Sequence, residues 1–243
     1  MSARIDALAV GIPARDEATR IEACIEALAS AAGEIDRPTV VVVAADDCHD
    51  DTASRADSAL LRARHRGLDG TVINTAHRTA GGARSAAIDA ALERTARDPA
   101  RVWVATTDAD TVVDRSWLAT HLAWANSGID GIAGLVGVAW EGGPEDLADR
   151  YRASIARGGV GVGHAHVHGA NLGLRADRWV AAGGCGPGAV GEDHELWTRL
   201  RASGALLLGV DDLLVTTSGR LYGRAPGGFA DYLHDLFIKD DDG

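Results

Sequence analysis

The stretch Thr39-Val40-Val41-Val42-Val43-Ala44-Ala45-Asp46-Asp47-Cys48-His49-Asp50-Asp51-Thr52 reads as a strand, an acidic turn and a helix start. Five β-branched residues in a row, with no polar residue between the valines, describe a strand covered on both faces. Upstream, Ala7 to Ile12 is a short apolar run ended by Pro13. It is followed by Ala18 to Ala31, where Ile21, Ile25 and Leu28 recur at helical spacing opposite Glu22 and Glu26. Downstream, Thr52 to Arg66 is a helix, Gly70 to Asn74 a strand and Gly82 to Arg97 a helix. Arg101 to Thr106 is a fourth strand, running into Asp108-Ala109-Asp110. Repeated strand–helix units of this length predict a mainly parallel sheet with helices on both faces. Ligands of such sheets lie beyond the carboxyl ends of the strands. The informative segments are therefore Pro13 to Glu17, Asp46 to Asp51, Thr75 to Arg84 and Asp108 to Asp110, all rich in carboxylate, arginine or glycine.

After residue 114 the rhythm changes. Asp114 caps a predicted helix through Trp117, Leu118, Leu122 and Trp124. Gly131 to Trp140 is a strand, and Pro144 to Ala156 a helix leading into the glycine-rich run Gly158 to Gly163. His164 to Leu174 is extended, Ala176 to Ala182 helical, and Gly183 to Gly191 a glycine-rich loop. Glu192 to Ala202 is helical, and a last strand lies within Leu206 to Val215. With no tandem repeat and no linker, the chain reads as one two-part domain over residues 1–243. Its parts are 5–113 and 114–236, with 237–243 as a frayed tail.

Composition excludes several classes. The 243 residues carry 24 Lys+Arg against 35 Asp+Glu, a formal net charge of -11, which opposes a broad nucleic-acid surface. All but one of the basic residues are arginine, the exception being Lys239. That removes the Gly-Lys-Ser/Thr step of a P-loop and the buried lysine of a Schiff-base enzyme. Cys24, Cys48 and Cys185 are widely spaced, unlike a disulfide framework or a zinc ribbon. No apolar run approaches the roughly 18 residues of a membrane span, and the first residues lack a signal-peptide core. A cytoplasmic protein with no membrane span is expected.

Asp108-Ala109-Asp110 is the sharpest local signal. In extended chain, residues i and i+2 face one side, so both carboxylates can address one site. Paired acids repel unless a cation sits between them, and Mg2+ or Mn2+ shared with substrate phosphate fits such a pair. The alternative is a solvated turn. Three further features converge on the same end of the sheet: the start Gly11 to Glu17, the segment Gly81-Gly82-Ala83-Arg84-Ser85-Ala86, and Gly191-Glu192-Asp193-His194-Glu195-Leu196.

Taken in order, Ile-Pro-Ala-Arg-Asp-Glu, Asp-Asp-x-x-Asp-Asp-Thr, Ala-Arg-Ser, Asp-Ala-Asp, Gly-Ala-Asn-Leu and Glu-Asp-x-Glu-Leu resemble family two of the glycosyltransferases over about Ile5 to Leu236. The resemblance implies an α/β GT-A fold, Rossmann-like, with a nucleotide-sugar half followed by an acceptor half. It implies that Pro13, Arg15 and Glu17 flank the nucleotide of a nucleotide-diphosphate sugar, that Asp46 meets the base, and that Arg84 sits beside it. Asp108 and Asp110 match the motif that holds ribose and metal-bound diphosphate. Asp193 matches the acid that deprotonates the acceptor hydroxyl in inverting members. Where the family often has Asp-Gly-Ser, this chain has Asp47-Cys48-His49 after Asp46, which leaves the base open.

Leaving-group charge on a diphosphate calls for a metal or forked arginine hydrogen bonds, and Arg220 and Arg224 are candidates on a closing loop. The acceptor hydroxyl needs a base. Asp193, in the first helical turn, is favoured as carboxylate by the dipole and free N–H groups; Glu192 is the rival, and simple capping the alternative. His168 and Asn171 are expected to face the acceptor or the donor sugar. His164, His166 and His168 alternate, which raises a zinc hydrolase as a second reading. Alternate strand positions, however, lie about 7 Å apart and rarely converge on one ion. A nucleotidyltransferase is the nearer rival, although such enzymes often carry a lysine and glycine-rich loop after the first strand. Here that place is held by Pro13-Ala14-Arg15.

Overall fold

The computed structural model describes residues 3–140, 148–149, 151, 164–186, 188, 191–220, 223 and 229–238. The expected helix at Pro144 to Ala156 for the most part, the run Gly158 to Gly163, Arg224 and residues 239–243 of the expected tail fall outside these residues, while 237 and 238 end the last helix rather than fraying. Four parallel strands form the first half: β1 (Ala7–Ala14), β2 (Thr39–Asp46), β3 (Leu68–Thr75) and β4 (Val102–Thr106). They are joined through α1 (Ile21–Ala32), α2 (Thr52–Ala63) and α3 (Ala80–Thr95). The second half adds β5 (Thr111–Val113), α4 (Trp117–Asn126), β6 (Gly131–Ala139), β7 (Leu172–Arg175) and α5 (Ala176–Ala182). It ends with α6 (Glu192–Ala202), β8 (Leu207–Ser218) and α7 (Phe229–Ile238). All eight strands join in the order β3-β2-β1-β4-β7-β6-β8-β5.

The valine run explains the layering. Val41 and Val43 face one core with Ile21, Ile25 and Leu28 of α1 and Leu60 of α2. Val40 and Val42 face a second core with Ala87 and Ile88 of α3, Trp179 of α5 and Leu196 of α6. Alternation along one strand thus divides its side chains between two helical layers, each full burial contributing about 1.5–3 kcal/mol. Gly11 lets α3 lie close on β1: a Cβ there would stand 2.4 Å from Ile88 Cγ1.

Several boundaries differ from the sequence reading. The sheet is mixed, because β7 runs antiparallel to both β4 and β6, and β5 antiparallel to β8. Past Gly11, β1 has only β2 as a neighbour, so Pro13 continues the strand to Ala14 on a side where a missing N–H breaks no ladder. Of the expected His164 to Leu174 extension, only Leu172 to Leu174 lies in a strand, β7. Asp114 precedes α4 rather than capping its first turn; its Oδ1 accepts from the N–H and hydroxyl of Ser116.

Polar groups brace the second half. Asn171 is fully buried: its Oδ1 accepts from Trp117 Nε1 at 2.9 Å, and its Nδ2 donates to the carbonyls of Leu135 and Leu213. His121, also fully buried, accepts from Trp103 Nε1 through Nδ1 at 3.0 Å and packs edge-on against Trp117. Burial pushes its pKa down to about 3. A histidine depressed in the folded state stabilises fully above its ordinary pKa near 6.5 and loses that contribution as pH falls toward 3. Denaturant titrations at pH 7.5 and 5.0 should therefore show a loss of up to about 1.4 kcal/mol per pH unit from this group. His121→Phe should flatten that pH dependence, whatever it does to absolute stability; an unchanged slope would exclude His121 as its source.

Candidate active site

The carboxyl end of β4, the backbone at Gly169 and the start of α6 meet at Arg84. This side chain is 3% exposed and radiates from the first turns of α3. Its Nη1 donates to Thr106 Oγ1 and to the Gly169 carbonyl, both at 2.8 Å. Its Nη2 donates to Asp108 Oδ1 at 3.0 Å and lies 3.5 Å from Glu192 Oε1. Burial opposes the guanidinium charge, but Asp108 and Glu192 outweigh it and hold the pKa above its ordinary value. Unpairing a buried charge of this kind typically costs about 3–5 kcal/mol.

The Gly169 peptide unit is held from both ends. Its N–H donates to Asp193 Oδ2 at 2.8 Å, while its carbonyl receives Arg84. The two candidate bases thereby part. Glu192 is buried against Arg84, and its pKa is raised mainly by that burial. Asp193 is half-buried, its second oxygen accepting from the His194 N–H. Gly191, at φ 82°, turns the chain into α6 and sets both acids in its first turn.

On the other side of Asp108 lies Asp110, with a side chain 12% exposed. Thr217 Oγ1 donates to its Oδ1 at 3.2 Å, and Arg220 Nη2 sits 3.0 Å from its Oδ2. Burial and the charge of Asp108 push the Asp110 carboxyl up to about 6, against the pull of Arg220. Arg220 also forks onto Glu17, at 3.0 and 2.7 Å. Farther out, Asp46 is buried and accepts from Thr75 Oγ1 and the His77 N–H. Asp47, at φ 51°, pairs with Arg78 at 2.8 Å and Arg15 at 3.5 Å. Asp16, Cys48 and Asp50 bring ligand-type atoms within 4.8 Å of one another. The two carboxylates there are engaged with the loop itself, through the N–H groups of His49, Ala18 and Thr52.

The sequence profile described as Glycosyl transferase family 2 matches residues 9–180, most of the chain and nearly all of the parallel half. The chain belongs to glycosyl transferase family 2. No curated protein sequence matches it significantly. Among solved structures it is similar to TarS 1-349 of S. aureus in complex with UDP-GlcNAc, with TM-score 0.62 and 14% identity, over 93% of this chain and 62% of that one. It is also similar to the mannosyltransferase PcManGT from Pyrobaculum calidifontis in complex with GDP-Man and Mn2+. There the TM-score is 0.61 and the identity 19%, over 98% of this chain and 71% of that one. The chain thus spans about three fifths of the TarS fragment. At these identities the likeness shows the fold, the GT-A architecture of family 2 glycosyltransferases.

Within that family frame, the structure brings together Glu17, Arg84, Asp108, Asp110, Glu192, Asp193 and Arg220, which lie far apart along the chain. Pro13 and Arg15 close the end of β1 nearby. Asn171 stands elsewhere: with no exposure and its amide engaged three times, it braces the frame and offers nothing to an acceptor. His168 lies on the Asp193 side, its pKa pushed down to about 4 by burial. His166 and His168 stack at 6.0 Å between centroids, while His164 is tilted by 41° against His166 at 5.7 Å; among the described residues the three do not gather their nitrogens at one centre. Two features escaped sequence reading. One is the role of Gly169, whose neighbours come from distant parts of the chain; the other is the short β5, which aligns Asp110 with Thr217.

A divalent ion fits this donor set. Asp108 has a half-exposed carboxylate with one oxygen on Arg84, and Asp110 already draws a cation in Arg220. The central joint is steric as well as polar, since a Cβ on Gly169 would lie 2.5 Å from Arg84 Nη2. Gly169→Ala should therefore displace Arg84 and lower stability by about 1–3 kcal/mol, a drop of several degrees in Tm. Thermal unfolding with wild-type Tm would show that the packing at this joint is unimportant.

Proposed function

We propose that the protein transfers a sugar from a nucleotide-diphosphate donor to an acceptor hydroxyl, with inversion and with Asp193 as general base. The observation that carries this reading is the separation of the two acids at the start of α6. Glu192 is tied to Arg84, whereas Asp193 remains half-exposed, held in place by the Gly169 N–H. Support also comes from family 2 membership and from relatives of the same fold whose structures hold UDP-GlcNAc, or GDP-Man with Mn2+.

The strand ends supply the donor's place. Asp46, fixed by Thr75 and His77, faces the base; Arg15 and Glu17 flank the nucleotide. Asp108 and Asp110 would hold Mg2+ or Mn2+, whose contribution when bound is to neutralise charge on the leaving diphosphate. Arg84 keeps Asp108 oriented from behind, and Glu192 completes its charge balance. Asp193 takes the proton of the acceptor hydroxyl as that oxygen bonds to the anomeric carbon. The bond from that carbon to the diphosphate oxygen breaks on the opposite face. His168 lines the acceptor side, beside Phe229 at 6.2 Å between ring centroids.

A panel of nucleotide sugars with and without Mn2+ identifies the donor by thermal stabilisation and by release of nucleoside diphosphate. With that donor, Asp193→Asn should lower turnover by roughly 10²–10⁴ while donor affinity changes little. Turnover within a few-fold of wild type would remove Asp193 from the role. Retention of anomeric configuration in the product would exclude the single-displacement scheme.

A further inference from the structure

The acid pair does not stand open: a guanidinium already lies against it. Arg220 follows β8 by two residues, and its backbone is fixed there. The Gly219 N–H donates to the Ala139 carbonyl at 2.8 Å, and the Arg220 N–H to Ser218 Oγ at 3.4 Å. Strand pairing sets the rest. Thr111 pairs with Thr217 across β5 and β8, so the residue before β5, Asp110, and the residues after β8 emerge side by side. Thr111 and Thr217 seal the register with a hydroxyl–hydroxyl bond of 3.0 Å. From this position Arg220 reaches Glu17 twice, at 2.7 and 3.0 Å, and Asp110 Oδ2 at 3.0 Å. The side chains of Glu17 and Asp110 are 6% and 12% exposed, so this is not a solvated surface pair.

We propose that Arg220 is a built-in competitor for the cation site of Asp108 and Asp110, holding it until the donor's diphosphate draws the guanidinium away. This rests on reading Asp108 and Asp110 as the metal pair. A hard divalent ion takes carboxylate oxygens as ligands, and at Asp110 Arg220 lies against Oδ2 while Thr217 donates to Oδ1. Two cations in one acidic nest repel, so either can hold it more easily than both. A diphosphate changes that balance in two ways. It offers oxygens to the ion, and it offers Arg220 a better forked partner than a single carboxylate. Metal and donor then bind with positive coupling, each raising the affinity of the other by the same factor. The consequence for the enzyme is that the acids stay neutralised between turnovers, and the ion is recruited with the donor.

The test is Mn2+ affinity without any nucleotide, read from the electron paramagnetic resonance signal of free Mn2+. Wild type should bind weakly, and Arg220→Gln should bind at least about tenfold tighter. Added nucleoside diphosphate should tighten Mn2+ binding in wild type far more than in Arg220→Gln. Equal or weaker Mn2+ affinity in Arg220→Gln would overturn the proposal. The double variant Asp108→Asn, Arg220→Gln separates the two levels. If it keeps the tight binding, the metal-pair reading itself fails and the proposal falls with it. If it loses the binding, that reading stands and the tightening in Arg220→Gln is confirmed at the acid pair. Should Arg220→Gln not fold, Arg220→Met decides, because it keeps a stem of comparable reach and removes the cation. Tighter Mn2+ binding than wild type supports the competitor, and unchanged binding overturns it.

Discussion

One buried guanidinium joins the two halves of this molecule. Arg84 belongs to the parallel half through α3, yet its hydrogen bonds run to the end of β4, to Gly169 and toward Glu192. Burying a charge is unfavourable unless partners surround it, so the arrangement is all or none: Asp108, Glu192 and the Gly169 carbonyl must be delivered together. That constraint explains why α6 begins where it does and why residue 169 is glycine. It also explains how a base candidate on α6 and the proposed metal pair after β4 come to share one site. Arginine suits the post because its planar fork reaches several oxygens at once, which an ammonium group cannot do.

Charge neutralisation by arginine recurs at several acids of the cleft, and hydrogen-bond donors hold others. Asp110 and Glu17 share Arg220, Asp47 is met by Arg78 and Arg15, and Asp46 is held by a hydroxyl and an N–H. The acid excess of the chain, a net charge of -11, thus includes cleft acids whose repulsion is managed by arginines. Lysine is nearly absent from the chain, and the site shows no need for it.

The parallel half is largely legible in the amino-acid sequence. Continuous β-branched runs and helical spacing have only local causes, so Val40 to Val43 and Ile21 to Leu28 can be read directly, with boundaries shifting by a few residues. The second half is less legible, because its strands are set by partners. His164 to Leu174 looks extended throughout, but only Leu172 to Leu174 finds a strand neighbour on each side. Of the site, the acids and arginines announce themselves by their place after strands. Asn171 misleads because its motif position says nothing about burial; three partners from α4, β6 and β8 turn it inward. Glu192 and Asp193 are adjacent in sequence and become distinguishable only because Arg84 takes one of them.

The central claim is that Arg84 assembles the donor-side acids and the α6 acids into one working site. Arg84→Lys tests it most directly, by comparing the rate of sugar transfer with the affinity for the donor's nucleoside in the same protein. A lysine keeps the charge but cannot reach Thr106, Gly169 and Asp108 together. The account predicts nucleoside affinity within a few-fold of wild type and transfer reduced by at least about a hundredfold, about 2.7 kcal/mol in barrier. Transfer within a few-fold of wild type would contradict it.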